Sequence, residues 1–286
     1  DETVSGLKAR KELVEVYANW VERDRILTTN IWSSELSKLV SNAFLAQKIS
    51  SINAISALCE KTDADVSEVA RAVGMDERLG PRFLNASVGF GGSCFKKDIL
   101  NLVYLCRYYG LYEVADYWES VVRINDYQKT RFVFNMLACM FNTLATKKIC
   151  LFGFAFKADT GDTRESPAIF ISQKLVEEKA DLIITDPEAL ENAKMDLKDL
   201  DGAVRYEPDP YAAAEGSDAI AIMTEWKLYS DLDYERIYQS MVKPAFIFDG
   251  RNILDHRRLF DIGFNVYPIG KPPLTHFDDE PAMCQE

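Results

Sequence analysis

A glycine-rich turn that carries a cysteine is the stretch of this sequence best suited to chemistry. Residues 89–98 read GFGGSCFKKD, so Cys94 follows three glycines and stands four positions before Asp98. Glycines let the backbone approach a ligand closely, and a thiol at the start of a helix is favoured as the thiolate by the helix dipole. An acid beside it can move protons or orient water. The segment therefore suits a cysteine that bonds covalently to a substrate, and it is equally compatible with a small packing thiol in a tight turn.

A lysine and an asparagine interrupt an otherwise apolar predicted helix. Lys38 and Asn42 lie four positions apart, so they share one helix face. An ammonium and an amide are the donors that an oxyanion at a substrate carbon requires, which makes the pair attractive beside Cys94. A lysine on such a helix can instead direct its ammonium outward to solvent, and both interpretations stay open.

The segment after the first predicted strand has the charges to bind phosphate. Residues 153–167 read GFAFKADTGDTRESP and contain Lys157 and Arg164 just before a helix whose first turn would hold the proline. Ligands of open parallel sheets bind beyond the carboxyl ends of the strands. Only Gly153 fits the dinucleotide fingerprint, although Asp186 could imitate the ribose-binding acid, so the pattern favours a nucleotide other than NAD.

Two further arginines are candidates for binding an anionic ligand. Arg251 completes the sequence FDGR at the end of another predicted strand, where it could reach a phosphate or a sugar hydroxyl. Arg78 lies in the predicted loop DERLG. Each is equally compatible with an ordinary surface arginine. The two histidines, His256 and His276, are predicted to be surface residues without a role.

The period of the apolar residues changes near residue 143. Before it, helical spacing predicts a long helix capped by Ser33 or Ser34 and ending near Lys61, a helix capped by Asp65, and another opened by Asp98. After it, continuous apolar strands alternate with helices, which predicts a parallel, doubly wound sheet and the α/β fold class. The predicted parts are residues 1–30, a helical domain over 31–143, a Rossmann-like domain over 144–270 and a loose tail over 271–286.

Composition excludes several classes of protein and site. The net charge of −12 without a Lys/Arg-rich stripe argues against nucleic-acid binding, and no apolar run of about 18 residues suggests a membrane span. The six cysteines and two histidines lack the spacing of a metal site. A domain of this size needs no disulfides, so a reducing, cytoplasmic compartment is expected. The cysteines in apolar runs, predicted to be core residues, are Cys59, Cys106, Cys139 and Cys150.

Taken together, these stretches resemble the nucleotide-sugar dehydrogenases, and within them most closely the animal-type UDP-glucose dehydrogenases. The resemblance rests on residues 32–47, 89–98, 153–166 and 246–251, and it extends through SSINAISALCE at 50–60 to cover nearly the whole chain. It implies that UDP-glucose is oxidised twice at C6 by two NAD⁺ to give UDP-glucuronate. It also implies a place in nucleotide-sugar metabolism and glycosaminoglycan biosynthesis.

The resemblance implies catalytic roles for four residues. Cys94 matches the nucleophile that traps the aldehyde as a thiohemiacetal, which loss of a hydride converts into a thioester that water hydrolyses. Lys38 matches the lysine that stabilises the oxyanion. Asn42 and Asp98 match the pair that places water and moves protons, and the division of labour between them stays open.

The resemblance also implies binding residues and self-association. Arg164 matches an NAD contact, and Arg78 matches an arginine that reaches the sugar nucleotide of a neighbouring subunit. A dimer at least is expected, and the family pattern implies a hexamer. The residues that match substrate contacts within the chain are Lys157, Arg251, Phe83, Ser87, Phe90, Gly91, Phe95 and Phe156.

The sequence departs from this family pattern in two places, and two alternatives remain. Asn85 stands where the animal enzymes usually have a lysine beside the uridine. The family's N-terminal NAD domain is absent apart from its end in residues 1–30, so the chain alone is expected to be inactive. The alternatives are a sister enzyme acting on GDP-mannose or a UDP-N-acetylhexosamine, and a non-catalytic nucleotide-sugar-binding module. The intact set around Cys94 argues against the module, because binding alone needs no nucleophile.

Overall fold

The protein consists of a helical region followed by a parallel sheet flanked by helices, which confirms the predicted α/β class. The structure, a computed structural model, describes residues 3–200 and 202–277. None of the helices in these ranges has the length and apolarity needed to cross a bilayer. The helices of the first region are α1 (Val4–Tyr17), α2 (Ile31–Cys59), α3 (Val66–Gly74), α4 (Phe95–Tyr108) and α5 (Tyr112–Cys139), with a 3₁₀ turn at Arg23–Arg25.

The second region alternates strands and helices, as predicted from the change of period near residue 143. The strands are β1 (Lys148–Phe152), β2 (Asp181–Thr185), β3 (Val204–Tyr206), β4 (Ala219–Ile222), β5 (Phe246–Asp249) and β6 (Asn265–Pro268). The helices are α6 (Pro167–Glu177), α7 (Leu190–Asp196), α8 (Pro210–Ala214), α9 (Lys227–Ser230), α10 (Tyr234–Ser240) and α11 (His256–Ile262), with a 3₁₀ turn at Lys198–Leu200.

The sheet is doubly wound, with strand order β3-β2-β1-β4-β5-β6 and parallel pairing throughout. Ile149 of β1 stands opposite Leu182 of β2 and Ala219 of β4. Buried residues on both faces explain why these strands are continuously apolar in sequence. The carboxyl ends of β1, β4 and β5 lie side by side, so the loops after residues 152, 222 and 249 meet at one edge.

One hydrophobic core joins the helical region to the sheet. Met136 of α5 and Leu151 of β1 belong to the same buried cluster, and the rings of Phe132 and Phe248 lie 6.4 Å apart. A separate cluster, which includes Ala46, fills the space between α2, α4 and α5. Because the first core is continuous, the helices and the sheet edge hold each other in a fixed relation.

Helix starts differ from two of the sequence expectations. The side chain of Asn30, rather than Ser33 or Ser34, caps α2 by accepting a hydrogen bond of 2.8 Å from the Ser33 N–H. Asparagine and serine cap equally well, so the sequence left the choice open. Helix α4 begins at Phe95, one turn before the predicted start at Asp98. The predicted cap of α3 by Asp65 is confirmed.

Residues 271–277 pack against the last strand, so the expectation of a loose tail from residue 271 is wrong for this part. Leu274 forms an antiparallel bridge with Val266, and the ring of Phe277 lies 6.1 Å from that of Phe246. The prediction is based on the Pro-rich, acidic composition of this end of the chain. It does not take into account the apolar side chains of Leu274 and Phe277, which make these contacts. The rest of the predicted tail, residues 278–286, lies outside the described residues.

Candidate active site

Cys94 stands at the N-terminal end of α4 and is exposed. It occupies the cap position of the helix without a side-chain capping bond, and its Sγ lies 3.7 Å from Ser93 Oγ. Burial raises the pKa of the Cys59, Cys106 and Cys150 thiols, which the structure places in the core as predicted. Cys94 is therefore the cysteine among the described residues that a reagent or substrate can reach.

The structure brings Lys38, Asn42 and Asp98 together beside this helix end. Asn42 Nδ2 donates a hydrogen bond of 2.6 Å to Asp98 Oδ2, and Lys38 Nζ forms an ion pair with the same oxygen. The Asp98 side chain is 4% exposed, whereas that of Lys38 is 59% exposed. The predicted shared face of Lys38 and Asn42 therefore points at one buried carboxylate.

Charges in this cluster shift one another's pKa. Burial raises the pKa of Asp98, but hydrogen bonds from Lys38 and Asn42 and the charges of Lys38 and Lys97 outweigh it, so the pKa lies below its ordinary value. The hydrogen bond to Asp98 raises the pKa of Lys38, partly opposed by desolvation, and the charges of Asp98 and the Cys94 thiolate add to the rise. Asp98 follows Cys94 by one helical turn, and its N–H donates a hydrogen bond of 2.9 Å to the Cys94 carbonyl, so the cluster and the thiol share the N-terminal end of α4.

The glycine-rich turn is docked on the loop that follows β1. Gly92 N donates a hydrogen bond of 2.8 Å to the Arg164 carbonyl, and Lys96 pairs with Glu165 at 3.0 Å. A Cβ at Gly91 would lie 2.6 Å from the Glu165 carbonyl oxygen and 2.8 Å from Phe156 Cβ, so no larger residue fits there. The two sequence motifs are thus in direct contact.

A cleft of about 720 Å³ lies between the helical region and the sheet edge. A volume of this order accommodates a nucleotide-sized ligand. The cleft is lined by eight of the predicted binding residues, namely Lys157, Arg251, Phe83, Ser87, Phe90, Gly91, Phe95 and Phe156. Asn85, the position that departs from the animal enzymes, also lines it.

Arg251 is fixed in this cleft by its surroundings. Its Nε donates to the Met223 carbonyl at 2.7 Å, and Nη2 donates to the Phe156 carbonyl at 3.2 Å. Nη1 lies 3.3 Å from the Glu225 carboxylate, and the Arg251 side chain is only 11% exposed. An arginine held by backbone carbonyls of two neighbouring loops is preorganised to meet an anion.

Two predicted contacts lie away from the cleft lining. The Arg78 side chain is 89% exposed and pairs with Asp76. Arg164 is also exposed and pairs with Asp162; that hydrogen bond raises its pKa, and the Cys94 thiolate contributes to the rise. Both side chains therefore face solvent rather than the cleft.

The sheet itself does not fit a dinucleotide. Asp186, the acid at the end of β2, is 1% exposed, and its oxygens accept hydrogen bonds from the backbone N–H groups of Phe154, Ala155, Glu188 and Ala189. Its Oδ2 also accepts from the Trp226 indole at 3.2 Å. A carboxylate used in this way has no capacity left for a ribose, in agreement with the missing glycines. No group of three or more His, Cys, Asp and Glu among the described residues could hold a metal ion.

His256 is not the surface residue that the sequence suggested. Its Nε2 lies 2.9 Å from Asp249 Oδ2, and its side chain is 13% exposed. The buried Asp249 also accepts from the backbone N–H groups of Arg251 and Leu254, so it shapes the Arg251 loop. His276 is exposed as predicted, with its ring stacked 4.1 Å from Phe260.

Four polar residues of the cleft escaped the sequence analysis. Ser67 and Arg71 of α3, Glu225 and Asn252 line it together with the predicted residues. Glu225 and Asn252 follow the ends of β4 and β5, so their position at the strand ends was an available signal. Arg71 comes from a helix that gave no such signal.

Comparisons with known proteins find relatives along nearly the whole chain. Residues 32–127 match the central domain of the UDP-glucose/GDP-mannose dehydrogenase family, and residues 150–256 match its UDP binding domain. The chain is 56% identical to UDP-glucose 6-dehydrogenase 5 of Oryza sativa subsp. japonica and 54% identical to UDP-glucose 6-dehydrogenase 3 of Arabidopsis thaliana. Each comparison covers 99% of this chain and 63% of the relative, so the chain spans about 63% of the length of these curated relatives.

Solved structures with the same fold extend the comparison. The UDP-glucose dehydrogenase of Pyrobaculum islandicum superimposes with a TM-score of 0.79 at 30% identity, covering 93% of this chain and 56% of that one. The UDP-D-ManNAc dehydrogenase of Pyrococcus horikoshii gives a TM-score of 0.75 at 26% identity, covering 92% and 58%. Both named curated relatives are plant proteins, so the animal-type likeness stays a prediction. Since two domains of one family account for most of the sequence, the chain belongs to the UDP-glucose/GDP-mannose dehydrogenase family.

Proposed function

We propose that this chain supplies the substrate cleft and the covalent catalytic group of a UDP-glucose 6-dehydrogenase, which oxidises UDP-glucose at C6 to UDP-glucuronate. The observation that carries the proposal is the exposed Cys94 at the start of α4, coupled to the Lys38–Asn42–Asp98 cluster and next to a nucleotide-sized cleft. The names of the relatives support UDP-glucose as the substrate. Arg251 and Lys157 would meet the diphosphate.

The covalent steps require a thiol, donors for an oxyanion and a proton carrier. The Cys94 thiolate adds to the C6 aldehyde, and the resulting alkoxide takes up a proton to give a thiohemiacetal. Loss of a hydride and a proton leaves a thioester, which water attacks so that the thiolate departs and the carboxylate forms. Lys38 and Asn42 would donate to the oxyanion, and Asp98, which both of them contact, would orient them and accept protons.

NAD⁺ supplies the hydride acceptor in both oxidations when it is bound. The described sheet offers no dinucleotide cradle, because Asp186 is saturated and the glycines are missing, so only Arg164 is proposed as a contact from this chain. We therefore expect residues 1–286 alone to bind UDP-glucose without reducing NAD⁺. Reduction of NAD⁺ by the purified chain would contradict this.

We also propose self-association and a cytoplasmic location. Helix α2 keeps large apolar side chains in solvent, with Phe44 53% and Leu58 61% exposed, and a second copy of the chain would cover them. The expected assembly is a dimer at least, and a hexamer by family likeness. Cys59, Cys94, Cys106 and Cys150 are free thiols, which fits a reducing compartment.

The first test is the stoichiometry of the reaction. The longest form of the protein that its gene encodes would be incubated with NAD⁺ and UDP-glucose, and NADH would be counted per sugar nucleotide consumed. Two successive hydride transfers predict about two NADH per UDP-glucose. Turnover only with GDP-mannose or a UDP-N-acetylhexosamine would keep the mechanism and change the substrate. Binding without NADH from any of them would favour a non-catalytic module.

A further inference from the structure

Three buried amide side chains hold the short irregular segment 87–90. Asn53 Oδ1 of α2 accepts from the Ser87 N–H at 2.8 Å, and Gln128 Nε2 of α5 donates to the Ser87 carbonyl at 2.7 Å. Asn125, one turn earlier on α5, accepts from the Phe90 N–H at 2.8 Å and donates to the Phe90 carbonyl at 3.1 Å. The segment has no strand or helix partner, so these amides take the place of one.

This segment is the wall of the cleft that leads into the Cys94 turn. Ser87 and Phe90 both line the cleft, and Gly91, Gly92 and Ser93 connect Phe90 to Cys94. Between them, Val88 N donates to the Gly250 carbonyl at 3.0 Å, next to Arg251. A shift of the segment would therefore move a cleft wall and the nucleophile's turn together.

Gln128 also belongs to a buried polar network that extends to the segment just after the edge strand β6. Its Oε1 accepts from Arg131 Nη2 at 2.9 Å, and Arg131 donates to Ser56 Oγ at 2.9 Å and pairs with Glu60. Glu60 Oε1 accepts from the Gly270 N–H at 2.8 Å, just beyond β6. The Nε2 of Gln128 thus contacts the cleft wall, and its Oε1 contacts Arg131. The ion pair of Arg131 with Glu60 connects α5, α2 and the segment after β6.

We propose that Asn125 and Gln128 are positioning residues with separable tasks. Asn125 fixes the backbone from which the Cys94 turn continues, and Gln128 fixes the Ser87 carbonyl in the wall of the substrate cleft. The inference rests on the proposed function. Neither residue touches the reacting atoms; each acts through the segment 87–90.

Separate tasks predict a split between the kinetic constants. Asn125→Ala should lower kcat for NADH formation about tenfold or more with a small change in KM, because misplacing a catalytic group by about 1 Å can cost about 10²-fold. Gln128→Glu should raise KM for UDP-glucose and the Kd for UDP about tenfold with kcat nearly unchanged. The new carboxylate still accepts from Arg131 but no longer donates to the Ser87 carbonyl, or to Ser56 Oγ at 3.3 Å, so the Arg131 contact is kept while the wall contact is lost.

The experiment uses the longest natural form of the protein, with thermal unfolding of each variant measured beside kcat, KM and UDP binding at about pH 8. Asn101→Ala, which removes an exposed amide from α4, is the matched control and should leave all constants unchanged. If Asn125 and Gln128 only stabilise the fold, their variants should unfold at lower temperatures, while kcat, KM and UDP affinity of the folded enzyme stay at the wild-type values. If Asn125→Ala does not fold, Gln128→Glu decides the question.

The proposal would be overturned if a folded Gln128→Glu variant kept the wild-type KM and UDP affinity. It would also be overturned if both variants showed a fall in kcat and a rise in KM of equal size. Failure of the proposed function is a different result, since the wild-type protein itself would then give no NADH from UDP-glucose. A general loss of stability would not lower kcat in one variant and raise KM in the other.

Discussion

The catalytic cluster and the substrate cleft each contain one ion pair, and the two pairs are built in opposite ways. In the cluster the anion is buried and the cation is exposed to solvent: the Asp98 side chain is 4% exposed and that of Lys38 is 59% exposed. In the cleft the cation is buried and the anion is exposed: the Arg251 side chain is 11% exposed and that of Glu225 is 39% exposed. The buried partner is fixed by its other hydrogen bonds, whereas the exposed partner can leave.

This difference matches what each site must bind. Lys38 can turn from Asp98 towards an oxyanion that forms during the reaction, because the Asp98 carboxylate keeps Asn42 as a second partner. Glu225 can give way to a substrate phosphate, because Arg251 remains held by the carbonyls of Met223 and Phe156. Under the proposed function, catalysis would use a mobile cation and substrate binding would use a fixed one. Four variants can break or sharpen this comparison.

The largest effect is expected from Cys94→Ser, which removes the nucleophile and leaves both ion pairs intact. NADH formation should fall on the order of 10³-fold or more, because a hydroxyl in this position is a far weaker nucleophile than a thiolate. UDP binding, measured by calorimetry, should stay at the wild-type value. Unchanged turnover would remove the covalent role from Cys94.

Arg251→Ala should separate binding from catalysis. Loss of a charge-assisted contact to the diphosphate is expected to cost about 1.5–3 kcal/mol, which raises KM about 10- to 100-fold with a smaller change in kcat. Steady-state kinetics would measure this against Arg205→Ala, an exposed arginine of β3 paired with Asp181. A larger loss in kcat than in KM would place Arg251 in the chemistry instead.

Gly91→Ala should damage both sites at once, because the turn and the loop after β1 touch at this residue. The added methyl group meets the Glu165 carbonyl and Phe156, and the displacement should lower kcat/KM about tenfold. Gly110→Ala is a useful contrast, since φ there is +74° and nothing lies within 4 Å of the new methyl group. That control should lose about 1–2 kcal/mol of stability without a change in kinetics.

The smallest effect is a pH dependence of stability. The lowered pKa of Asp98 contributes stability that is fully present above its ordinary value of about 4 and is lost as pH falls through the native pKa. The raised pKa of Lys38 contributes below its ordinary value of about 10.4 and is lost as pH rises through the native one. Urea unfolding measured from about pH 5 downwards, through the range in which Asp98 takes up its proton, should show a flatter pH dependence for Asp98→Asn than for wild type. Parallel curves would show that the cluster does not carry this dependence.

Much of the fold could be predicted from the sequence because its signals are local. Continuous apolar strands such as Cys150–Leu151–Phe152, the cap at Asp65 and the proline in the first turn of α6 depend on residues close in the chain, and the structure confirms them. The start of α2 was missed because Asn30 and the nearby serines are equivalent caps. The packing of residues 271–277 depends on distant partners and was missed for that reason.

The candidate site divides in the same way. Cys94, Lys38 and Arg251 stand in motifs whose composition is unusual by itself. Asn125 and Gln128 lie in an ordinary amphipathic helix, and only the folded chain shows that their amides meet a segment 35 and 41 positions away. His256 has no local signal either, because its partner Asp249 is buried by the sheet.

The placement of the cysteines makes the protein easy to modify at a single position. The described thiols other than Cys94 are enclosed by the core, so a maleimide dye or spin label added to the native fold should attach to Cys94 first. In a Cys284→Ser variant, such a reagent could react only with the five cysteines that the structure describes. A label at Cys94 would sit at the mouth of the cleft, where its fluorescence or mobility would report occupancy by nucleotide sugars without any turnover.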